Sequence, residues 1–481
     1  MTAFNEIVEG LKEIVGQGFV KTGPDEVKDH AVDDRVPRAV VFPGNTREVS
    51  EVVQLANREH LAIVPRGSGS KMAMGHPPKA LDLVVSTARM NHMLDVDTSN
   101  LTITVEAGVK FRDIQARLAT QEDRCYLPLE DLTTEAGAFV CSDRSHSGCF
   151  LPIDPFWSET ATIGGVIAAN SAGPRRLLYN LPRDMILGVR LVSPDGEIAG
   201  AGGKTVKNVS AYDTSKLMVG SMGSLGIICE MTFKLLPLPE KMETLLIAFE
   251  QFSDASAFAS RIFETSLLPA AVEVMNAATF DPLSQASMSG LEGGPYVVAV
   301  ALEAFHKAVD RMAAELGEMA TSHRAKAQAR LDAHAHQLFW LAVSHLDTHL
   351  SGVFPDMVKA RLNYPVSKWQ ETFRFVEETL SHMGIECAVM AHAGSGICLI
   401  HLPLNGDDTG ALEKTIGALN RLLGFCVDAG GNLVIQKAPV RAKPRLEIWG
   451  KTGPDFIMMQ RIKAQLDPSG IMSPGRFVGG L

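Results

Sequence analysis

Three glycine-lined bends constrain this chain more than any other feature. The first, Pro65-Arg66-Gly67-Ser68-Gly69-Ser70, directly follows the apolar strand signal Ala62-Ile63-Val64. Glycine at alternate positions lets backbone N–H groups converge on one point, and the serines add hydroxyl donors, so the loop can cradle a pyrophosphate. Taken alone it also reads as a plain turn. It is not a dinucleotide fingerprint of the G-x-G-x-x-G type, because Met72 occupies the third glycine position, and it is not a Walker A loop. Gly203-Lys204-Thr205 imitates the end of a Walker A loop, but Ile198 stands where the upstream glycine is required. The second bend is Ala161-Thr162-Ile163-Gly164-Gly165, continued by Asn170-Ser171-Ala172-Gly173. The third is the run from Gly220 through Gly223 to Gly226, just before the strand signal that opens with Ile227 and Ile228. Both place small residues and amide donors where a large planar ligand can lie against backbone. Together the three bends read as one elongated dinucleotide site.

Around these bends the chain has an ordinary globular composition. Its 481 residues are 46% hydrophobic and 21% charged, and a prior of ~150 residues per domain suggests two or three units. A net charge of −10 argues against a nucleic-acid binder and leaves no polybasic membrane face. The charge-free stretch from Cys387 to Gly406 is interrupted by His392, His401, Pro403 and glycines, so it is no transmembrane helix. Glu6, Glu9, Lys12 and Glu13 exclude a signal-peptide core from the first helix, Phe4 to Val15. Seven Cys without a CxxC motif read as thiols in a reducing compartment. The expectation is a cytoplasmic protein, peripheral to the inner membrane only through a partner.

Residues 36–115 alternate strand and helix signals. Asn45, with Glu48 three residues on, predicts a helix start, and Val49, Val52, Val53 and Ala56 supply one buried face. Residues 121–158 lose periodicity and read as a surface excursion. Strands and turns resume to Pro239, and 240–440 alternate amphipathic helices with strands, the pattern of a separate α+β unit.

Several runs now carry a resemblance. Pro65-Arg-Gly-Ser-Gly-Ser70, the Ala161-Thr-Ile-Gly-Gly165 corner, Gly203-Lys-Thr-Val-Lys-Asn208, Tyr212-Asp213 and Gly223-Ser-Leu-Gly-Ile-Ile228 resemble, in order and spacing, the FAD-binding domain of the vanillyl-alcohol oxidase / p-cresol methylhydroxylase (PCMH) superfamily. Within it the chain is most similar to flavin subunits of bacterial glycolate oxidase and to D-lactate dehydrogenases. Asp467-Pro-Ser-Gly-Ile-Met-Ser-Pro-Gly-Arg476 is similar to the ending of that group. The resemblance implies an α+β fold: an N-terminal helical segment (1–35), a two-subdomain PCMH-type FAD-binding domain (36–239), an α+β substrate or cap domain with an antiparallel sheet (240–440), and a C-terminal segment (441–481) returning near the flavin. The loop Pro65–Ser70 would hold the pyrophosphate. Pro152, Asp154, Ala161, Thr162, Gly164, Gly165, Asn170, Ser171 and Gly173 would line the cofactor, and Gly223, Gly226, Ile227 and Ile228 would meet its nucleotide end. With no His in the 66–70 loop, the FAD is expected to be non-covalent.

The resemblance also implies the chemistry. Oxidising a small 2-hydroxy acid needs a cation for the carboxylate and a base for the hydroxyl proton. Arg361 in Arg361-Leu-Asn-Tyr-Pro-Val-Ser367 is the candidate carboxylate clamp, with a plain surface arginine as the alternative. His392 in Met390-Ala-His-Ala-Gly-Ser-Gly396 matches the family's first active-site histidine. Ser395, Ile397 and Leu399 replace the Asp, Asn and second His of the metal-dependent dehydrogenases, so no metal is expected, one imidazole being too few ligands. The reduced pattern, with Gln436-Lys-Ala-Pro439 and Ile448-Trp-Gly450, resembles the smaller, metal-free flavin subunit of glycolate oxidase complexes. Electrons would leave to an iron–sulfur or second flavin subunit. The competing reading is a non-catalytic, flavin-binding electron-transfer subunit. Cys125, Cys141, Cys149 and His146 fit no ligand motif and read as solvated or interface thiols, and His334, His336, His345 and His349 as a His-rich helix.

Overall fold

The computed structural model describes residues 2–119, 129–132, 139–141, 148–204, 214–292, 294–354, 356–404 and 409–481. Thr205–Asn208 and Tyr212–Asp213 of the motifs, together with Cys125, His146 and the Cys141 side chain, lie outside the described residues.

The first lobe is a small sheet of β1 (Val20–Lys21), β2 (Ala39–Val41), β3 (Ile63–Arg66) and β4 (Leu83–Ser86), in the order β1-β2-β4-β3, with β2 and β3 parallel to β4. The helix Thr46–Arg58 follows β2 and begins as Asn45 and Glu48 predict. Asn45 Oδ1 accepts from the Glu48 N–H at 3.0 Å, and the Glu48 carboxylate accepts from the Gly44 N–H at 2.7 Å. Its Val49, Val52, Val53 and Ala56 are fully buried on the sheet. The N-terminal helix Thr2–Val15 packs Val8, Leu11 and Val15 into the same core, and β1 pairs with β2.

The second lobe adds β5 (Met93–Asp97) and β6 (Thr102–Glu106). Two short ribbons follow, β7 (Leu129–Leu132) with β8 (Phe139–Cys141), and β9 (Cys149–Phe150) with β13 (Leu236–Pro237). The sheet is completed by β10 (Ile186–Val192), β11 (Ile198–Gly202) and β12 (Ile227–Lys234), in the antiparallel order β11-β10-β12-β6-β5. Residues 148–158 correct the expected surface excursion where it is described. Cys149 and Leu151 are core of this lobe, Phe150 and Phe156 pack against the cap, and Gln115 bonds both the N–H and the C=O of Leu151. Cys149 is therefore neither a solvated nor an interface thiol. Its apolar neighbours outweigh the weak periodicity of the segment.

The cap is built on an eight-stranded antiparallel sheet. Its strands are β14 (Lys241–Phe249), β15 (Ala271–Asn276), β16 (Tyr296–Ala304), β17 (Ala327–Leu331), β18 (Met357–Asn363), β19 (Ala388–His392), β20 (Ile397–Pro403) and β21 (Asn432–Lys437), in the order β17-β14-β16-β15-β19-β20-β18-β21. Period-two alternation sends Val358, Ala360, Leu362, Val389, Ala391, Cys398 and Ile400 to one face. There they meet the helices Phe252–Ile262, His306–Ser322, Trp369–His382 and Thr409–Asp428 in the largest core cluster. The opposite face is covered at one end by Ala277–Ser287, Ala333–Ser344 and Leu346–Leu350. The rest of that face turns toward the two lobes.

Candidate active site

The three bends meet. Pro65 to Met72, then Thr162 with Gly164 and Gly165, then Ser221 to Gly223 with Gly226 to Ile228, line one cleft of about 770 Å³, partly open to solvent. Close approach explains the glycines. A Cβ on Gly67 would run into Thr162 Oγ1, and Gly223, at φ +69°, lies 3.0 Å from Pro65 Cδ at its Cβ position. The C-terminal segment ties the bends together. The Ile63 N–H donates to Ile471 O and the Ser473 N–H to Ile63 O, each at 2.8 Å, while Lys463 Nζ donates to Ser224 O at 2.8 Å. Arg476 donates to the carbonyls of Met72 and Met74, both at 2.8 Å, and lines the cleft.

Buried polar atoms without partners concentrate here. On the cleft they are Thr162 Oγ1, Ser221 Oγ and one terminal nitrogen of Arg476; on the adjoining cavity they are Asn170 Oδ1, Ser171 Oγ, Arg361 Nε and Gln436 Oε1. Buried polar atoms are almost always paired, so a row of orphans along one groove marks the polar edge of a ligand. Hydroxyls and a guanidinium beside glycine amides suit a pyrophosphate, and the small residues of the second bend suit a flat ring system.

The expected ligand residues divide. Thr162, Gly164 and Gly165 reach the cleft, and Asn170 and Ser171 line the adjoining cavity. Ala161, Pro152, Asp154 and Gly173 reach neither. Ala161 O accepts from the Phe111 N–H, Pro152 is buried in the lobe, and the Asp154 carboxylate accepts from the N–H groups of Gly173 (2.9 Å) and Arg175 (2.8 Å). Burial pushes Asp154 up to about 6 against those bonds and the neighbouring arginines. Its role is to shape the turn that presents Asn170, Ser171 and Arg176.

The adjoining cavity is floored by the open face of the cap sheet. Register places Glu273 of β15 directly opposite His392 of β19, and Arg361 of β18 opposite Leu399 of β20. Cross-strand partners share a face, and so do residues two apart, so Glu273, His392, Ile397, Leu399, Arg361 and Lys359 all point one way. His392, Arg361, Ile397 and Leu399 line the cavity with Lys71, Phe156 and Arg176. His392 Nδ1 and Glu273 Oε2 are 2.5 Å apart and fully enclosed. Burial, then the charges of Arg176, Arg361 and Lys359, hold the His392 imidazole well below its ordinary value, while burial, then the Asp154 charge, lifts Glu273 well above the carboxylate range. The two groups therefore share protons. With one proton between them, Glu273 is the acceptor, Nδ1 the donor, and the other ring nitrogen is a free base.

Burial and Arg176 lower Arg361 to about 10, so it remains a cation at neutral pH. Arg176 donates to the carbonyls of Gly173 (3.0 Å) and Ala172. Lys71 lines both cleft and cavity; burial and the nearby Lys359 lower it to about 7. Lys359 is buried and paired with Asp347 at 2.7 Å, and Asp347 also accepts from His401 at 3.0 Å. Ile397, paired across the strands with His392, and Leu399 put apolar groups on this wall of the cavity. Among the described residues no three His, Cys, Asp or Glu cluster as a metal site. The expected His-rich helix is interrupted: His345 caps the end of Ala333–Ser344, and buried His336 bonds Arg175 and Thr244. Glu273, Arg176, Lys71, Lys359 and Arg476 were not singled out from sequence as site residues. The available signal for Glu273 and Lys359 was a single charge inside an apolar strand.

Residues 37–140 and 142–202 match the FAD binding domain family, and residues 238–477 match the family of FAD linked oxidases, C-terminal domain. The chain is 28% identical to a glycolate oxidase subunit from Bacillus subtilis over 92% of this chain and 89% of that one. It is 29% identical to a D-lactate dehydrogenase from Archaeoglobus fulgidus over 91% of both chains. In fold it is similar to p-cresol methylhydroxylase with substrate bound (TM-score 0.73, 14% identity, 99% and 97% of the two chains). It is also similar to alkyldihydroxyacetonephosphate synthase (TM-score 0.68, 18% identity, 98% and 85%). With both of its halves matched and a cleft built for the cofactor, the chain belongs to the FAD-linked oxidases, and FAD is its cofactor.

Proposed function

We propose that this flavoprotein oxidises a small 2-hydroxy acid to the 2-oxo acid. The carrying observation is the Glu273–His392 pair beside Arg361, in a cavity that shares Lys71 and Ala169 with the flavin cleft. FAD, when bound, would supply the two-electron acceptor for the hydride that leaves the α-carbon. Arg361 binds the substrate carboxylate, its buried Nε lacking any other partner. The His392–Glu273 pair in its one-proton form accepts the hydroxyl proton, and the pair then becomes neutral overall among Arg176, Arg361 and Lys359. Ile397, Leu399 and Phe156 exclude water from the reacting carbon. No His, Cys or Tyr lines the described cleft, which supports non-covalent FAD. The apolar Ile397 and Leu399 support metal-free chemistry, with the arginines in place of a Lewis acid.

A paired base and a carboxylate clamp favour catalysis over a purely electron-carrying role. The similarity to a glycolate oxidase subunit supports onward transfer of electrons to a second subunit, iron–sulfur or flavin. No helix among the described residues is long and apolar enough to cross a membrane. Anaerobic mixing of the yellow protein with a panel of 2-hydroxy acids tests the reading. Bleaching by one of them is expected; a flavin that no 2-hydroxy acid bleaches overturns it.

A further inference from the structure

The cavity beside the flavin cleft has two chambers. The inner one holds Arg176, Arg361 and His392; the outer, of about 510 Å³, holds Asp347, Lys359 and Lys437. Lys71, Met74 and Gln436 line both and form the wall between them. The outer chamber has more positive charge than it can satisfy. Its one carboxylate, Asp347, is already shared by Lys359 and His401. Lys437 stands directly opposite Lys359 across β18 and β21, an arrangement of like charges that costs stability unless an anion lies between them. The ammonium groups of Lys71 and Lys437 form no ion pair or hydrogen bond with any described residue. Lys71 and Lys359 both sit over the Phe156 ring, with Nζ 5.3 and 4.3 Å from its centroid, so the ammonium groups are placed rather than free to reach water.

We propose that the substrate carries a second anionic group, carboxylate or phosphate, at the end remote from the reacting carbon, and that Lys71 and Lys437 bind it in the outer chamber. This rests on the oxidation reading above. Lys359 and Arg361 mark the two chambers from alternate positions of one strand, about 6.6 Å apart along it. That separation fits an acid whose two charged groups are a few bonds apart. The lowered Lys71 accords with this, since a neighbouring anion would restore its charge.

The test compares lactate, 2-hydroxyglutarate and 3-phosphoglycerate in anaerobic flavin bleaching. One of the two dianions is expected to exceed lactate in kcat/KM by about tenfold or more, the worth of one charge-assisted hydrogen bond. Which dianion does so separates carboxylate from phosphate. In Lys437→Gln the advantage over lactate shrinks to within about threefold. Binding of unreactive anions gives an independent readout: calorimetry should show glutarate binding about tenfold tighter than butyrate, and the preference should disappear in Lys437→Gln. If phosphate is the group recognised, inorganic phosphate shows the preference instead. Lactate matching both dianions, or no anion preference that depends on Lys437, overturns the proposal. Selective glutarate or phosphate binding with no bleaching by any hydroxy acid keeps the second-anion site and overturns the oxidation reading.

Discussion

Glu273→Gln isolates the contribution of the carboxylate behind His392. When the imidazole takes the hydroxyl proton it becomes cationic beside Arg176, Arg361 and Lys359, all of which oppose that charge. Only Glu273, at 2.5 Å from Nδ1, offsets them. With charge centres about 4 Å apart and an effective dielectric of about 20, the attraction amounts to about 4 kcal/mol. At 1.36 kcal/mol per tenfold, its loss slows the proton-accepting step by about 10³-fold. Glutamine keeps the side-chain shape, so FAD content and melting temperature should stay close to those of the parent. The assay is stopped-flow bleaching of the flavin without oxygen, from pH 5 to 9. In the parent, a second proton on the pair, taken up at the raised Glu273 carboxyl, removes the base, so the rate climbs with pH to a plateau. In Glu273→Gln the ring loses its counter-charge and becomes a weaker base, so raising the pH does not restore the rate, whereas Glu273→Asp recovers part of it. A Glu273→Gln protein that bleaches within about threefold of the parent rate would refute the shared-proton mechanism.

Arg361→Met should raise KM for the acid by about 10²-fold by removing a charge-assisted hydrogen-bond pair, while FAD binding is retained; steady-state kinetics reads this. Arg476→Met removes two bonds to the loop carbonyls of Met72 and Met74 and a cleft-facing nitrogen. The expected result is FAD affinity lower by about tenfold or more, measured by fluorescence on reconstitution of the apoprotein. Asp347→Asn leaves Lys359 buried without its counter-ion and should cost about 3–5 kcal/mol in denaturant unfolding. Lys359 and His401 hold Asp347 well below its ordinary value despite burial. Its contribution is therefore complete above the unfolded value of about 3.9 and is lost as pH falls through the folded one, so the parent's acid-unfolding midpoint should carry a component that Asp347→Asn lacks.

The cofactor cleft was readable because backbone geometry dictates residue type there. Gly67 must clear Thr162, and Gly223 must adopt a positive φ while lying against Pro65, which glycine does without strain. Asp154 and Pro152 belong to the same stretch, but a linear pattern cannot tell a residue that touches a ligand from one that holds the turn presenting it. The reaction face was half readable. His392 and Arg361 lie in recognisable runs, whereas Glu273 in Ala271–Asn276 reads equally as a solvated position on an edge strand. Only the pairing of β15 with β19 puts it against His392, and that pairing joins residues 119 positions apart. Cys149 failed for the complementary reason: its burial comes from the second-lobe core around Ile103, Val105 and Phe233, which leaves no period in the local sequence.

The tie between Ile63 and Ile471–Ser473 has a consequence for biosynthesis. Arg476 leaves the ribosome 250 positions after Gly226 (476 minus 226), about 12 to 50 s later at ordinary elongation rates. Throughout that interval the nascent chain owns the cradle but not its clasp. Cofactor capture thus waits until residues 471–476 have been made, and a product truncated before them would emerge without colour.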